Sequence, residues 1–312
     1  LVAAAVLLFF SLGLNTIMSL FKTDFFSSFE SAFDVTESTV YETPIENGAM
    51  DNRIALVSVE GTILDVGSGS LWEEVQYDHQ GFMAQLDSIL NDDTVKGVVL
   101  EVNSPGGGVI ESAEIHEKLV QIKEQREIPI YVSMGTYAAS GGYYIAAPAD
   151  KIFAQKETIT GSIGVIMQAI NYEELAEKVG IKFETIKSGQ HKDMLGGSRA
   201  STEEEKAMLQ EIIDESYEDF VDVIEQGRGM TEAEVKAVAD GRILGGTQAV
   251  RAGLVDDIGK LDDTIAALRA DYGLEEAQLF EYTTTIDSLG SLTGITIIWF
   301  ILDKLKYKFR LN

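Results

Sequence analysis

Between residues 54 and 186, short apolar runs alternate with helix-favouring stretches, and this alternation restricts the fold more than anything else in the chain. Residues 54–59, 95–102, 128–134, 151–154 and 181–186 read as strands. Residues 82–90, 110–125, 140–147 and 172–179 read as helices. Two acidic helical stretches follow, 202–226 and 231–240. Each opens on a capping box, Thr202 with Glu205 and Thr231 with Glu234. Repeated βαβ units imply an α/β fold with a mainly parallel sheet, helices on its faces and active groups at its strand ends.

At one such strand end stands Ser140, in the run Thr136-Tyr137-Ala138-Ala139-Ser140-Gly141-Gly142-Tyr143-Tyr144. Small neighbours leave its hydroxyl approachable, and the glycines let backbone N–H groups close on a developing oxyanion. Free serine is a weak nucleophile, so a base is required. The chain has three histidines. His79 lies in an acidic stretch expected to be exposed, and His116 on what reads as the wet face of a helix. His191 sits in the loop after the 181–186 strand, beside Lys192. Two further segments carry small hydroxyls and glycines, Asn103-Ser104-Pro105-Gly106-Gly107-Gly108 and Thr158-Ile159-Thr160-Gly161-Ser162-Ile163-Gly164-Val165. Taken singly, each has an ordinary reading as a tight turn, a helix cap, a strand-end serine or a solvated lysine.

Taken in order, Ser-Pro-Gly-Gly-Gly, Ala-Ala-Ser-Gly-Gly-Tyr-Tyr-Ile-Ala, Thr-Gly-Ser-Ile-Gly-Val and Lys-Ser-Gly-Gln-His-Lys-Asp resemble the signal peptide peptidase family of membrane-bound serine proteases, in its short single-domain form. Gly241–Ala249 with Gly253-Leu254-Val255-Asp256 resembles the family's closing signature, and the likeness covers roughly residues 53–280. It implies the spiral fold shared by caseinolytic proteases and crotonases, and a Ser-Lys dyad. Ser140 would be the nucleophile, Lys192 the general base and Ser162 the residue orienting it. The oxyanion hole would come from Gly141 with Gly106 or Gly107. Tyr143 and Tyr144 are candidates for the substrate pocket. The resemblance further implies a ring-forming homo-oligomer, an octamer in short-form members, with sites near subunit boundaries. No cofactor and no metal is expected. A lysine accepts a proton only when neutral, which desolvation favours. Lys192 is therefore expected to be buried in the assembled, substrate-bound site, with the Asp193 carboxylate turned away from it.

The first 21 residues carry no charge and end at Lys22, a length that fits an uncleaved transmembrane anchor. Residues 22–52 read as an acidic stalk, 53–285 as the peptidase domain, and 286–312 as an apolar then basic segment lying at the interface or between subunits. An acidic flank suits an extracytoplasmic domain on a single-pass anchor in the cell membrane. The formal charge of −27 argues against nucleic acid as a partner. Peptides with apolar side chains, above all remnant signal peptides, are the expected substrates, and the lipid bilayer the expected neighbour. The absence of cysteine excludes thiolate catalysis. Two rivals are an acyl-CoA enzyme of the crotonase type, disfavoured by the chain's acidity, and an inactive membrane scaffold.

Overall fold

The computed structural model describes residues 40–65 and 77–284. The expected anchor, the first part of the expected stalk and the 286–312 segment lie outside the described residues. Among the described residues no helix is long and apolar enough to cross a membrane.

The α/β expectation holds. Among the described residues nine strands form one sheet: β1 (Val40–Glu46), β2 (Ala49–Glu60), β3 (Val95–Ser104), β4 (Ile130–Ala139), β5 (Lys151–Ala154), β6 (Ile159–Gly161), β7 (Ile243–Gly245), β8 (Asp257–Ile258) and β9 (Ala277–Thr284). Their order is β1-β9-β2-β3-β4-β5-β8, with β6 paired to the far end of β4 and β7 to β6. Strands β9, β2, β3, β4, β5 and β8 are mutually parallel, while β1 and β7 are antiparallel to their partners.

The central strands are apolar on both faces because helices cover both, as parallel sheets require. On one face Val57, Val98, Leu100 and Val102 pack with α1 (His79–Asn91), α2 (Val109–Arg126) and α3 (Gly141–Ala146). On the other, Ile54, Leu56 and Val99 meet Ile265 and Leu268 of α8 (Leu261–Tyr272). In chain order α4 (Glu173–Lys178), α5 (Glu203–Arg228), α6 (Glu232–Lys236) and α7 (Gly246–Arg251) come between α3 and α8. Both predicted capping boxes are formed, at Thr202 on α5 and Thr231 on α6.

Three expectations are corrected. The sheet begins before residue 53: β1 and the start of β2 occupy 40–52, within the predicted stalk. Arg53 fastens this edge, reaching Glu42 at 2.5 Å, Thr94 Oγ1 at 2.7 Å and Asp92, with its guanidinium 4.2 Å from the Phe280 ring centre. Residues 181–186 form no strand, since no sheet edge meets them; Ile181, Phe183 and Ile186 are 53%, 48% and 95% exposed. The helix predicted over 231–240 is shorter, ending at Lys236.

Candidate active site

Ser140 occupies the turn from β4 into α3 with φ 54° and ψ −123°, a left-handed conformation that non-glycine residues seldom adopt. Such a residue costs of order 1–3 kcal/mol and persists only where its surroundings over-determine it. Here they do. The Ser140 N–H donates to the Gly161 carbonyl at 2.9 Å, and its own carbonyl accepts from the N–H groups of Tyr143 and Tyr144. A sharp strand-to-helix turn of this kind lifts a hydroxyl clear of the sheet, as nucleophile elbows do.

The Ser104–Gly108 loop at the end of β3 lies against this turn. A Cβ placed on Gly106, whose φ is 102°, would stand 2.7 Å from the Gly141 nitrogen and 2.8 Å from both the Ala139 carbonyl oxygen and Ser140 Cβ. One on Gly141 would stand 3.2 Å from the Gly107 nitrogen. The Gly107 and Gly141 N–H groups are therefore neighbours beside Ser140, and among the described residues neither donates to an acceptor. Two buried serines overlooked in the sequence hold the loop in place. Ser104 Oγ accepts the Gly106 N–H at 3.1 Å, and Ser112 Oγ donates to the Gly108 carbonyl at 2.8 Å while filling the space behind Gly141. Their signal was only their position, one opening the Ser-Pro-Gly-Gly-Gly motif and the other one turn into the helix after it. Gly106→Ala is expected to leave a folded protein whose kcat falls about 10²–10³-fold, the loss typical of one displaced oxyanion donor. Steady-state kinetics on an apolar peptide would check this.

Ser162 lies one residue past the Gly161 carbonyl that holds Ser140, and it too has a positive φ, 51°. Its N–H donates to the Arg242 carbonyl at 2.8 Å, and the Gly241 N–H returns a bond to the Ile163 carbonyl. The closing Gly241–Gly245 motif thus shapes the Ser162 turn. Thr160 Oγ1 donates to the Ala138 carbonyl at 2.6 Å, fixing β6 against the strand that ends in Ser140.

Among the described residues Lys192 makes no hydrogen bond to Ser140 or Ser162. It lies in consecutive turns over 188–195, exposed, and among the described residues its amine has no hydrogen-bond or ion-pair partner. Asp193 is turned away from it, as expected, with its carboxylate held by Lys187 at 2.6 Å and Arg199 at 2.5 Å. Those two cations keep Asp193 well below the usual carboxylate range, Arg199 contributing most. His191 approaches Glu205 at 3.4 Å.

The other predicted residues fall as follows. Tyr143 is wholly buried and its hydroxyl donates to the Leu254 carbonyl at 2.7 Å, so its ring lies in the core and not on an open pocket wall. Tyr144, half-buried, packs edge-on to Phe220 of α5 and to His116. His116 is thus not on a wet face, and burial pushes its imidazole down. His79 is buried, not exposed: Tyr77 Oη lies 2.8 Å from its Nδ1 and Glu114 2.7 Å from its Nε2. Among the described residues neither histidine hydrogen-bonds to Ser140.

A strained serine flanked by unpaired backbone donors suits acyl transfer, and comparison with known proteins agrees. The profile of Peptidase family S49 matches residues 122–275. A candidate signal peptide peptidase SppA of Enterococcus faecium is 47% identical over 254 residues, covering 81% of this chain and 72% of that protein. The chain belongs to peptidase family S49. As a member of S49 it is a serine endopeptidase. Protease 4 of Haemophilus influenzae is 33% identical over 224 residues, 71% of this chain and 35% of that longer protein. The chloroplastic serine protease SPPA of Arabidopsis thaliana is 31% identical over 209 residues, 67% of this chain and 30% of that protein. The S49 match spans Ser140, Ser162 and Lys192, while the Gly106–Gly108 loop lies upstream of it.

Proposed function

We propose that this S49 peptidase is anchored in the cell membrane by its first 21 residues, faces the extracytoplasmic side, and hydrolyses remnant signal peptides and similar apolar peptides. The observation carrying the reading is the strained Ser140 turn between the unpaired N–H groups of Gly107 and Gly141. Ser140 Oγ attacks the scissile carbonyl as Lys192 takes its proton. The two N–H groups stabilise the tetrahedral oxyanion, and the protonated lysine returns the proton to the leaving amine. A water deprotonated by the same lysine then hydrolyses the acyl-enzyme. Ser162 orients the Lys192 amine. The spiral arrangement implied by the family is in keeping with β6 and β7 turning off the main sheet beside Ser140.

The same reading makes the enzyme a homo-oligomer, with the ring form and octameric number following the family resemblance. Ile166, Ile170, Leu175, Val179, Ile181, Phe183 and Ile186 are 48–95% exposed on one stretch of chain, an apolar surface that a lone soluble domain rarely presents. Covering it with a second copy would also dry the neighbourhood of Lys192. The lysine loop is fastened near Glu205, whereas the helix carrying Ser140 touches α5 at Phe220. Fifteen residues of helix, about 22 Å, separate these two points. Ser140 would thus meet Lys192 at a boundary between copies.

The test uses the detergent-solubilised full chain, a synthetic signal peptide and a fluorophosphonate probe. Labelling confined to Ser140, absent from Ser140→Ala, together with cleavage of the signal peptide and not of a charged control, is expected. Undiminished cleavage by Ser140→Ala would remove the assignment.

A further inference from the structure

The residues either side of Lys192 both turn inward to one ionic cluster. Asp193 Oδ1 accepts from Arg199 at 2.5 Å, and His191 Nδ1 lies 3.4 Å from Glu205 Oε1. Arg199 makes a two-pronged contact with Glu205, its two terminal nitrogens reaching the two carboxylate oxygens at 2.8 and 2.6 Å. Glu205 is the hub. Its side chain is only 1% exposed, and it belongs to the capping box of α5, where its Oε2 also accepts the Thr202 N–H at 2.9 Å. The guanidinium and the Thr202 N–H hold Glu205 down at about 2. It therefore stays charged at any working pH.

We propose that Arg199 is a positioning residue for the base: it clasps the Lys192 loop to the first turn of α5 by bridging Asp193 to the buried Glu205. The inference rests on the reading of Lys192 as the base. The loop's other side-chain ties are Lys187, which donates to Asp193 Oδ1 at 2.6 Å and to the Gln190 carbonyl at 2.7 Å, and Tyr172, whose hydroxyl donates to the Gly196 carbonyl at 3.2 Å; none of them reaches α5. Its backbone bonds are short-range turns, from Lys192 to Gly189 at 3.3 Å, Met194 to His191 at 3.1 Å and Gly196 to Asp193 at 3.1 Å. Leu195 is held at φ 61° within it, a conformation that needs outside support. A planar guanidinium can bond two carboxylates at fixed angles, and an ammonium cannot reproduce that fork. With His191 and Asp193 drawn inward, Lys192 faces outward with its amine uncommitted. Through α5 the clasp also joins the loop to the packing under Ser140, since Phe220 lies on Tyr144 with ring centres 5.0 Å apart.

The experiment is a double-mutant cycle on the full chain, with kcat, KM and oligomeric state measured for Lys192→Met, Arg199→Ala and the pair. Arg199→Ala is expected to lower kcat about 10–100-fold with KM within about twofold, the pattern of an interaction acting on the chemical step. Added to Lys192→Met it should cause no further loss, because the base it positions is already gone. Arg199→Lys should recover little, and millimolar guanidinium should restore part of the Arg199→Ala rate. Asp193→Ala, which removes the acceptor but leaves Arg199 on Glu205, should reproduce the kcat loss if Arg199→Ala does not fold. Wild-type kcat in Arg199→Ala or Asp193→Ala, or an equal further loss on the Lys192→Met background, would overturn the inference. Wild-type activity in Lys192→Met alone would instead overturn the base assignment, so the two failures are distinguishable.

Discussion

Ser140→Gly is expected to abolish peptide hydrolysis and to raise the melting temperature. The first effect follows from removing the proposed nucleophile. What remains is catalysis by binding and the oxyanion donors, at least about 10⁴-fold below wild type. The second follows from the backbone. Serine at φ 54° carries strain of about 1–3 kcal/mol, which glycine does not feel. Glycine's extra freedom in the unfolded chain takes back about 0.5–1 kcal/mol. The balance, about 0.5–2 kcal/mol, corresponds to a rise of about 2–6 °C for a domain of this size. Ser140→Ala loses the hydroxyl and keeps the strain, so it should be equally inactive with no such rise. Scanning calorimetry of the three proteins separates these cases, and a lower melting temperature for Ser140→Gly would show that the turn is not strained as described.

Lys192→Met should lower kcat by about 10²–10⁴-fold, the usual contribution of a positioned general base, with the fold intact because among the described residues the amine has no partner to lose. If Ser140 meets Lys192 at a boundary between copies, Ser140→Gly and Lys192→Met can complement each other. After dissociation and joint reassembly in equal amounts, about one site in four in a head-to-tail ring would combine an intact serine with an intact lysine. Activity near a quarter of wild type is expected, and none at all would place the dyad within one copy.

Much of this architecture was readable from patterns with a direct physical cause. Strands β3 and β5 and helices α1, α2 and α5 follow apolar periodicity, and both capping boxes sit where Thr and Glu three residues apart put them. The Ser140, Gly106 and Ser162 turns were legible because small residues and glycines are needed where backbones approach closely. What failed depended on contacts remote in sequence. Strand β1, Val-Tyr-Glu-Thr-Pro-Ile-Glu, is mostly exposed at a sheet edge and so shows no buried face to betray it. His79 sits among acidic neighbours, yet its partner Glu114 comes from another helix. The apolar alternation at 181–186 is real, but no strand edge receives it. Tyr143 and Tyr144 follow Ser140 closely in sequence, and the helical turn between sends their rings into or against the core.

The pairing at the sheet's outer edge bears on how the enzyme would be leashed. Val40 lies opposite Thr284, so the described domain begins and ends side by side. Because β9 runs parallel to β2, β3 and β4, that shared corner is on the rim where β3 delivers Ser104 and β4 delivers Ser140. Three strand spacings, about 14 Å, separate β9 from β4. A chain entering at Val40 therefore meets the domain on the rim that carries Ser140 and not on its back.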